Sequence, residues 1–553
     1  MTPPGDRRVV VVTGGGGGIG AAIAEELGRR GDHVVTVDPL VTLDGAEQLP
    51  APEAVTAQRI TVAGGSAQAS AASVTDAEAL RTLFQDLVRE RGRLDAVVNV
   101  AGISRPTGFA SGSDDDWRGV LEVHLDGYRN VLEAALPIMA KAGRGRILGV
   151  TSGSGWRPAD AGAYSCAKRA VAALTWQLGR ATPPGVVVNA ISPIAVTRMV
   201  TEALKRAQGA TSTTASGGLS LGSMPQPEDL GPLAARMVAD DLDWCRGQIV
   251  FAGGSEVALV EPPRLLEIVR TDGAGSLAPL LDVVVPGAFA RAEADQASHG
   301  GGNPRFDEAF AATGDLAAPA VRTCAVVSDR SELAGAICDA LDARGVETQN
   351  LSVGGSGHVA RSAELLLRST VETTNGPLDA VVVAFAGRPP LSAWSSEWQR
   401  ILTDHDGLVG RIHSDAAWAR AVADHASAAD HPIRLVTVTD ALSSGGRSRA
   451  QAAAQLARAS RRATDDRVAA FAVSMEATEA AAARPVAELV AHLVAHPEAP
   501  AVSGAELAAG PGWLGLRSHP RPTGSISLGE PTVPGWLDAV LRDLIGAPPE
   551  ELA

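Results

Sequence analysis

Short apolar runs alternate with longer amphipathic stretches over residues 8–260. The runs show little alternation with polar residues, which is typical of strands buried on both faces of a parallel sheet. The predicted strands are Arg8–Val12, His33–Val37, Ala96–Asn99, Gly145–Val150, Val186–Ile191 and Gln248–Ala252. The predicted helices between them include Gly20–Arg30, Asp76–Arg91 and Trp117–Ala142. Because parallel strands are joined by right-handed crossovers, this order predicts a doubly wound α/β domain.

The same order of elements returns in residues 323–520. The strand and helix of 323–345 repeat those of 9–31 at an offset of 314 positions, and the segment 379–382 repeats 95–98. The repeated unit is a whole domain and not the short unit of a solenoid. The sequence therefore predicts an α/β chain with two Rossmann-like doubly wound parallel-sheet domains.

The two remaining segments lack this alternation. Residues 261–322 contain several prolines and a glycine-rich loop at 298–304, and they predict a connector that is partly wrapped on a domain surface and partly mobile. The tail contains one amphipathic helix, Trp536–Ile545, which we expect to pack on a domain. The predicted division is a cofactor-binding domain 1–260, a connector 261–322, a second domain 323–520 and a tail 521–553.

Composition narrows the class of protein. Of the 553 residues, 45% are apolar and 20% are charged, as in folded globular proteins. The net charge of −15 argues against a nucleic acid or an anionic membrane as the main partner. No apolar stretch reaches the ~18 residues of a membrane span, no signal peptide is visible, and the four cysteines have no metal or disulfide spacing. These features predict a cytoplasmic protein without a metal site.

A glycine-rich loop lies between the first predicted strand and the first predicted helix, with TGGGGGIG at 13–20. Glycine permits a tight turn and brings main-chain N–H groups close to a pyrophosphate, and the helix N-terminus adds partial positive charge. Asp38 ends the next strand, 18 residues after Gly20. A carboxylate there accepts the ribose hydroxyls of adenosine and repels a 2′-phosphate, so the cofactor predicted is NAD rather than NADP.

Tyrosine and lysine are scarce in this chain, which contains only Tyr128, Tyr164, Lys141, Lys168 and Lys205. Tyr164 and Lys168 are spaced i, i+4 and therefore share one helix face. An ammonium about 4 Å from a phenol favours the phenolate by about 4 kcal/mol at an effective dielectric constant of ~20. The pair predicts a general acid or base, with Ser152 or alternatively Ser154 holding the substrate oxygen.

These motifs together resemble the short-chain dehydrogenase/reductase family over about residues 8–260. The matching segments are TGGGGGIG at 13–20, NVAG at 99–102, Ser152, YSCAK at 164–168 and NAISPIAVT at 189–197. The resemblance implies that Tyr164 donates and accepts the proton, that Ser152 orients the reacting oxygen, and that Lys168 binds the nicotinamide ribose. His124 stands where the family usually has an asparagine of a proton relay.

The resemblance also implies a set of cofactor-binding residues: Gly14, Gly16, Gly18, Ile19, Gly20, Asp38, Asn99, Ala101, Gly102, Tyr164, Lys168, Pro193 and Thr197. Thr197 would lie near the nicotinamide carboxamide. Ile194 replaces a glycine that the family has after Pro193. The segment Arg198–Leu221 would be the substrate lid.

The second half lacks the residues of this site. At the offset of 314, Ser328, Glu332 and Ala334 replace glycines of the loop, and Ser352 replaces Asp38. There is no tyrosine or lysine after Lys205. We therefore predict a degenerate domain without a cofactor site. Glu332 would stand at the place where a bound cofactor has a phosphate.

The second half carries an Ala-rich predicted helix, Gln451–Arg462, at the place where members of the resembled family commonly dimerise. Small residues permit close approach of two helices. The simplest interpretation is an intrachain pseudo-dimer, in which the second half replaces an identical partner and which could itself associate further.

The function predicted is that of an NAD(H)-dependent oxidoreductase that interconverts a small-molecule secondary alcohol and a ketone by hydride transfer, with Tyr164 moving the proton. Two alternatives stay open. One is an NADPH-dependent 3-oxoacyl reductase, against which Asp38 argues. The other is a non-catalytic nucleotide-binding scaffold.

Overall fold

Two mixed, mainly parallel sheets flanked by helices make up the protein, and they confirm the predicted α/β class. The computed structural model describes residues 7–49, 55–201, 224–272, 275–296, 307–352, 363–365, 367–368, 370, 378–387, 394 and 396–546.

Nine of the described strands form the first sheet: Val9–Thr13 (β1), His33–Val37 (β2), Ser66–Ser70 (β3), Ala96–Asn99 (β4), Gly145–Val150 (β5), Val186–Pro193 (β6), Ile249–Gly253 (β7), Glu256–Glu261 (β8) and Arg521–Ser527 (β17). Their order is β17-β8-β7-β6-β5-β4-β1-β2-β3. Strands β1 to β7 run parallel, and the sheet ends with antiparallel β8 and β17.

Eight described strands form the second sheet: Leu265–Arg270 (β9), Thr323–Ser328 (β10), Glu347–Ser352 (β11), Ala380–Phe385 (β12), Ile433–Asp440 (β13), Val468–Met475 (β14), Glu506–Gly510 (β15) and Trp513–Arg517 (β16). Their order is β11-β10-β12-β13-β14-β15-β16-β9. Here too the parallel strands end in an antiparallel pair, β16 and β9. The second sheet thus repeats the strand arrangement of the first.

The α-helices of the described residues lie between and beside these strands: Gly18–Arg29 (α1), Val55–Val62 (α2), Ala77–Arg91 (α3), Asp114–Leu121 (α4), Gly127–Ala142 (α5), Gly162–Ala181 (α6), Gly231–Met237 (α7), Leu277–Val284 (α8), Ala290–Ala294 (α9), Ser331–Asp342 (α10), Glu397–Asp404 (α11), Leu408–Ala429 (α12), Ser444–Ala463 (α13), Glu479–Ala495 (α14) and Leu537–Ile545 (α15). One turn of π-helix, Glu122–Asp126, interrupts the single helix predicted over 117–142.

Local sequence explains where these elements begin and end. Helix α3 begins after Asp76, whose carboxylate accepts from the N–H of Ala79 at 2.9 Å. It ends at Gly92, which adopts a left-handed conformation with a φ of 75°. Such caps satisfy the polar groups that a helix leaves unpaired at its ends.

Residues 261–322 are not the connector that the sequence predicted, because their described part belongs to the second sheet and its core. Strand β9 pairs antiparallel with β16, and Leu277, Leu280 and Leu281 of α8 are buried in the core of the second half. Pro262, Pro263 and Pro319 lie between these elements, whereas Pro279 lies inside α8. The glycine-rich loop at 298–304 lies outside the described residues.

The last strands of the two halves are exchanged. Strand β9 follows the first half in the chain and completes the second sheet, whereas β17 follows the second half and completes the first sheet. The tail helix α15 also crosses back, since Leu537 and Leu541 are buried in the core of the first half. The sheet of each half is therefore completed by a strand that follows the other half in the chain.

Helix α6 of the first half packs along α13 of the second half. Alanine-rich faces permit this close approach, and the thiol of Cys166 lies 3.6 Å from the carbonyl oxygen of Ala452. The helix predicted at 451–462 is therefore part of α13 and faces the first half.

A buried polar network crosses this contact. The Arg169 side chain is fully buried, and its Nη2 lies 2.7 Å from Oε2 of Glu506. Its Nε and Nη1 donate to the amide oxygens of Gln451 and Gln455, both at 3.0 Å. All three acceptors belong to the second half, so the guanidinium of one half is neutralised by the other.

We expect Arg169→Met to destabilise the protein by about 3 kcal/mol, because Glu506 then stays buried without its cation. The first thermal transition should fall by about 6–12 °C in calorimetry. Arg89→Met is the matched control, since Arg89 pairs with Asp86 at the exposed surface, where such pairs contribute about 0–1 kcal/mol. Equal transition temperatures for the two variants would contradict the stabilising role of the network.

Candidate active site

The glycine loop joins β1 to α1 at the carboxyl edge of the first sheet. Gly14 has a φ of 67°, and a Cβ there would lie 2.8 Å from the amide nitrogen of Ala101. A Cβ at Gly20 would lie 2.1 Å from the carbonyl oxygen of Gly14. Helix α1 begins at Gly18 without a side-chain cap. The N–H groups at its start can therefore bind a pyrophosphate in a cradle that larger residues would fill.

Asp38 lies directly beside this loop. Its Oδ2 accepts from the N–H of Gly16 at 2.9 Å, and its Oδ1 accepts from the N–H of Leu40 at 2.8 Å. The two backbone donors hold the carboxylate at the end of β2, one strand away from β1. This is the place at which the adenosine ribose of a dinucleotide would meet an acidic residue.

Asn99, Ala101 and Gly102 follow β4 on the other side of the loop. The Thr13 hydroxyl donates to Oδ1 of Asn99 at 2.7 Å. A Cβ at Gly102 would lie 2.4 Å from Cε1 of His124. Only glycine fits beneath the ring of His124. The segment predicted to line the cofactor therefore packs closely against the π-helical turn that carries His124.

Ser152, Tyr164 and Lys168 meet at the carboxyl end of β5. Ser152 lies two residues after this strand, and its hydroxyl is near enough to the phenol of Tyr164 to lower the pKa of that phenol. Lys168 lies one turn further along α6, with Nζ 5.6 Å from the centre of the Tyr164 ring. The structure thus brings together the three residues predicted to act on the substrate. Ser154, the alternative, donates its hydroxyl to that of Ser152 at 3.1 Å.

His124 lies in the π-helical turn between α4 and α5 and contacts this cluster. Its ring meets that of Tyr164 edge to face, with 5.0 Å between the ring centres. Nε2 donates to the carbonyl oxygen of Ile103 at 2.8 Å, and Nδ1 is buried with no hydrogen-bond partner among the described residues. Burial, reinforced by Lys168, holds the pKa of His124 well below its usual range. The ring is therefore neutral, with an acceptor at Nδ1.

Burial dominates the electrostatics of the cluster. It raises the pKa of Tyr164 above its ordinary value, and the hydrogen bond from Ser152 opposes that rise. It also lowers the pKa of Lys168 to about 7. Burial therefore opposes the stabilisation of the phenolate that a nearby ammonium would give. Desolvation disfavours the charged form of both groups, and Nζ donates to the carbonyl oxygen of Val150 at 2.7 Å.

The segment after β6 covers the glycine loop. Pro193 is the last residue of β6, where it pairs with Ala252 of β7. The Thr197 methyl group lies 4.0 Å from a Cβ built at Gly18. Most of the segment predicted as the substrate lid, 202–221, lies outside the described residues.

Sequence reasoning missed Arg198. Its Nη2 lies 3.8 Å from a Cβ built at Gly17, so a guanidinium stands at the N-terminus of α1, close to the place of a pyrophosphate. The signal was available, because Arg198 directly follows the NAISPIAVT segment.

The equivalent place in the second half is built differently. Oε1 of Glu479 accepts from the N–H of Leu333 at 2.6 Å, and its Oε2 accepts from Arg330 at 2.8 Å. A carboxylate of the chain therefore lies at the N-terminus of α10, where the first half has its glycine loop. Glu332, which we expected to meet a phosphate, is exposed. The sequence offered no sign of Glu479, which is about 150 residues away.

Two features are absent from the described part of the chain. No helix in it is long and apolar enough to cross a membrane. No group of three or more histidine, cysteine, aspartate or glutamate side chains in it could hold a metal ion.

One solved structure matches across both halves. It is the N-domain of a bacterial malonyl-CoA reductase, solved with NADP, which matches 88% of this chain and 95% of its own chain with a TM-score of 0.62. The identity is 16%, so this likeness shows a shared fold alone.

Sequence relatives match the first half. The short chain dehydrogenase profile matches residues 8–208. Oxidoreductase UcpA of Escherichia coli O157:H7 is 30% identical over 246 residues, which cover 43% of this chain and 90% of UcpA. Short-chain reductase protein NovJ of Streptomyces niveus is 32% identical over 241 residues, which cover 43% of this chain and 88% of NovJ. A match of this extent shows that the chain belongs to the short-chain dehydrogenase/reductase family of NAD(P)-binding oxidoreductases.

Proposed function

We propose that the first half is an NAD(H)-dependent oxidoreductase that interconverts a secondary alcohol and a ketone. The observation that carries this proposal is the grouping of Ser152 and Lys168 around Tyr164, with Lys168 on the same helix face as Tyr164 and its Nζ 5.6 Å from the centre of the Tyr164 ring. The hydroxyl pair can bind one substrate oxygen from two sides. Membership of the family supports the same chemistry.

In this mechanism NAD(H), when bound, supplies or accepts the hydride. Gly14, Gly16, Gly18, Ile19 and Gly20 form the part of the chain that would hold the pyrophosphate, and Asp38 would accept the adenosine ribose hydroxyls. Asn99, Ala101, Gly102, Pro193 and Thr197 would line the remaining length of the dinucleotide.

The proton moves on the chain's own side chains. Ser152 orients the reacting oxygen, and Tyr164 donates its proton to that oxygen in ketone reduction and accepts it in alcohol oxidation. Lys168 would bind the nicotinamide ribose beside Tyr164. Nδ1 of His124 is buried without a hydrogen-bond partner among the described residues, and Lys168 is near enough to help lower the pKa of the ring. We therefore assign His124 to the proton relay.

We expect Tyr164→Phe to lower kcat for alcohol oxidation with NAD by about a hundredfold or more, because the general acid and base is lost. The dissociation constant of NAD should change little. Tyr128→Phe is the matched control, since Tyr128 is buried and its hydroxyl bonds to Thr175 within the core. Turnover that survives in Tyr164→Phe would contradict the mechanism. The absence of both binding and turnover in the unaltered protein would favour a scaffold.

The preference for NAD over NADP rests on Asp38. We expect Asp38→Ser to tighten NADP binding at least about tenfold relative to NAD, because it removes a carboxylate from the site of the 2′-phosphate. Titration calorimetry with both nucleotides measures this ratio, and Asp44→Ser, in the following turn, is the control. Tight NADP binding by the unaltered protein would instead favour the alternative of an NADPH-dependent 3-oxoacyl reductase.

We also propose that the second half is a degenerate domain of the same family without a cofactor site. Helix α6 against α13 and the exchanged strands β9 and β17 support the interpretation as an intrachain pseudo-dimer. The catalytic domain would then consist of residues 1–260 together with the tail 521–553. Residues 261–322 would belong with 323–520.

Calorimetry should give one NAD per chain. Glu479 already lies at the N-terminus of α10 and repels phosphate there. Gly20→Ala should reduce the stoichiometry to zero, because its methyl group would overlap the carbonyl oxygen of Gly14. Two nucleotides per chain, or one that persists in Gly20→Ala, would show that the second half binds the cofactor.

A further inference from the structure

Side chains of the second half donate hydrogen bonds to carbonyl groups of the loop after Ser152. Residues 153–155 form a 3₁₀ turn that Ser152 caps, and the N–H of Gly155 donates to the carbonyl oxygen of Ser152 at 2.9 Å. The position of Ser152 therefore depends on where this turn lies.

Gln455 of α13 bonds to this loop at two points. Its Nε2 donates to the carbonyl oxygens of Ser154 and Arg157, both at 2.9 Å. Its Oε1 accepts from Nη1 of Arg169 at 3.0 Å. The side chain is 1% exposed, so one buried amide connects the loop after Ser152 with the helix that carries Tyr164.

Arg458 adds a third bond one turn further along α13. Its Nη1 donates to the carbonyl oxygen of Trp156 at 2.8 Å. Burial lowers the pKa of Arg458 to about 10, so its guanidinium is still charged at neutral pH. Hydrogen bonds from a charged donor are stronger than those between neutral groups. Three carbonyl groups of the loop are thus held from the second half.

The loop is also pressed onto α6. A Cβ at Gly155 would lie 3.0 Å from the amide nitrogen of Arg169 and 3.1 Å from the carbonyl carbon of Lys168. There is no room for the loop to move toward the helix, and the bonds from Gln455 and Arg458 oppose its movement away. The distance between Ser152 and Tyr164 is set between these two limits.

We propose that Gln455 is a positioning residue of the active site, through which the second half holds Ser152 in hydrogen-bonding reach of Tyr164. This inference deepens the proposed oxidoreductase function and rests on it. The second half then contributes to catalysis without a cofactor and without touching the substrate. Its contribution is the geometry of a loop that belongs to the first half.

Gln455→Leu tests the proposal in the full-length protein. We expect kcat for alcohol oxidation to fall about tenfold to a hundredfold, because a misplaced catalytic group is costly. The dissociation constant of NAD should stay within about twofold. The hydrogen bond from Ser152 lowers the pKa of Tyr164. Its loss should therefore shift the acidic limb of the pH profile for alcohol oxidation to higher pH.

Gln451→Leu is the matched control. Gln451 lies one turn earlier on α13, accepts from Arg169 and donates to Glu506, and no bond to the loop is seen among the described residues. It should lower thermal stability as Gln455→Leu does, and leave kcat and the pH profile within about twofold. Gln455→Glu is a second variant. It keeps an acceptor for Arg169 but cannot donate to the two carbonyl groups, so it should resemble Gln455→Leu in kcat.

Hydrogen–deuterium exchange of the peptide containing 153–157 provides a readout that needs no turnover. We expect about tenfold faster exchange in Gln455→Leu than in Gln451→Leu. If exchange is faster in Gln455→Leu but the unaltered protein shows no turnover with NAD(H), the positioning of the loop is supported and the proposed oxidoreductase function is overturned. An active unaltered protein with the same exchange and the same kcat in both variants would overturn the positioning role.

Discussion

The structure depends on one buried charge. Arg169 lies on the helix that carries Tyr164 and Lys168, and its guanidinium is fully buried against Glu506 of the other half. A buried cation without an anion would cost several kcal/mol. The two halves must therefore stay together for this helix to be stable. The residue next to Lys168 thus joins the candidate active site to the second half of the chain.

The two kinds of buried surface in the second half differ in what they pack against. Its parallel strands are buried within its own core, whereas the small residues of α13 pack against α6 of the first half. The loop between β10 and α10 has no such role, and its glycines are absent. Glu479 accepts from the N–H of Leu333 at the start of α10, so this helix end is bonded to a carboxylate of the chain itself.

The sequence was sufficient for the central strands and for the cluster of Ser152, Tyr164 and Lys168. Central strands are uniformly apolar, and tyrosine and lysine are so scarce that their spacing stands out. It was insufficient for β3, β9 and β17, because edge strands are short and half exposed and carry weak patterns. It was also insufficient for pairs such as Arg169 with Glu506, which are 337 positions apart. The electrostatics of Tyr164 required the burial that only the fold shows.

The exchange of edge strands has a consequence for synthesis of the chain. Strand β8 ends at Glu261, whereas its neighbour β17 begins at Arg521, about 260 residues later. At a translation rate of roughly 5–20 residues per second, the first half leaves the ribosome about 13–50 seconds before its last strand is made. Its sheet edge is unpaired during that time, which makes an early chaperone contact advantageous. The half that contains the candidate active site is made first, and its sheet can be completed only after β17 has been translated.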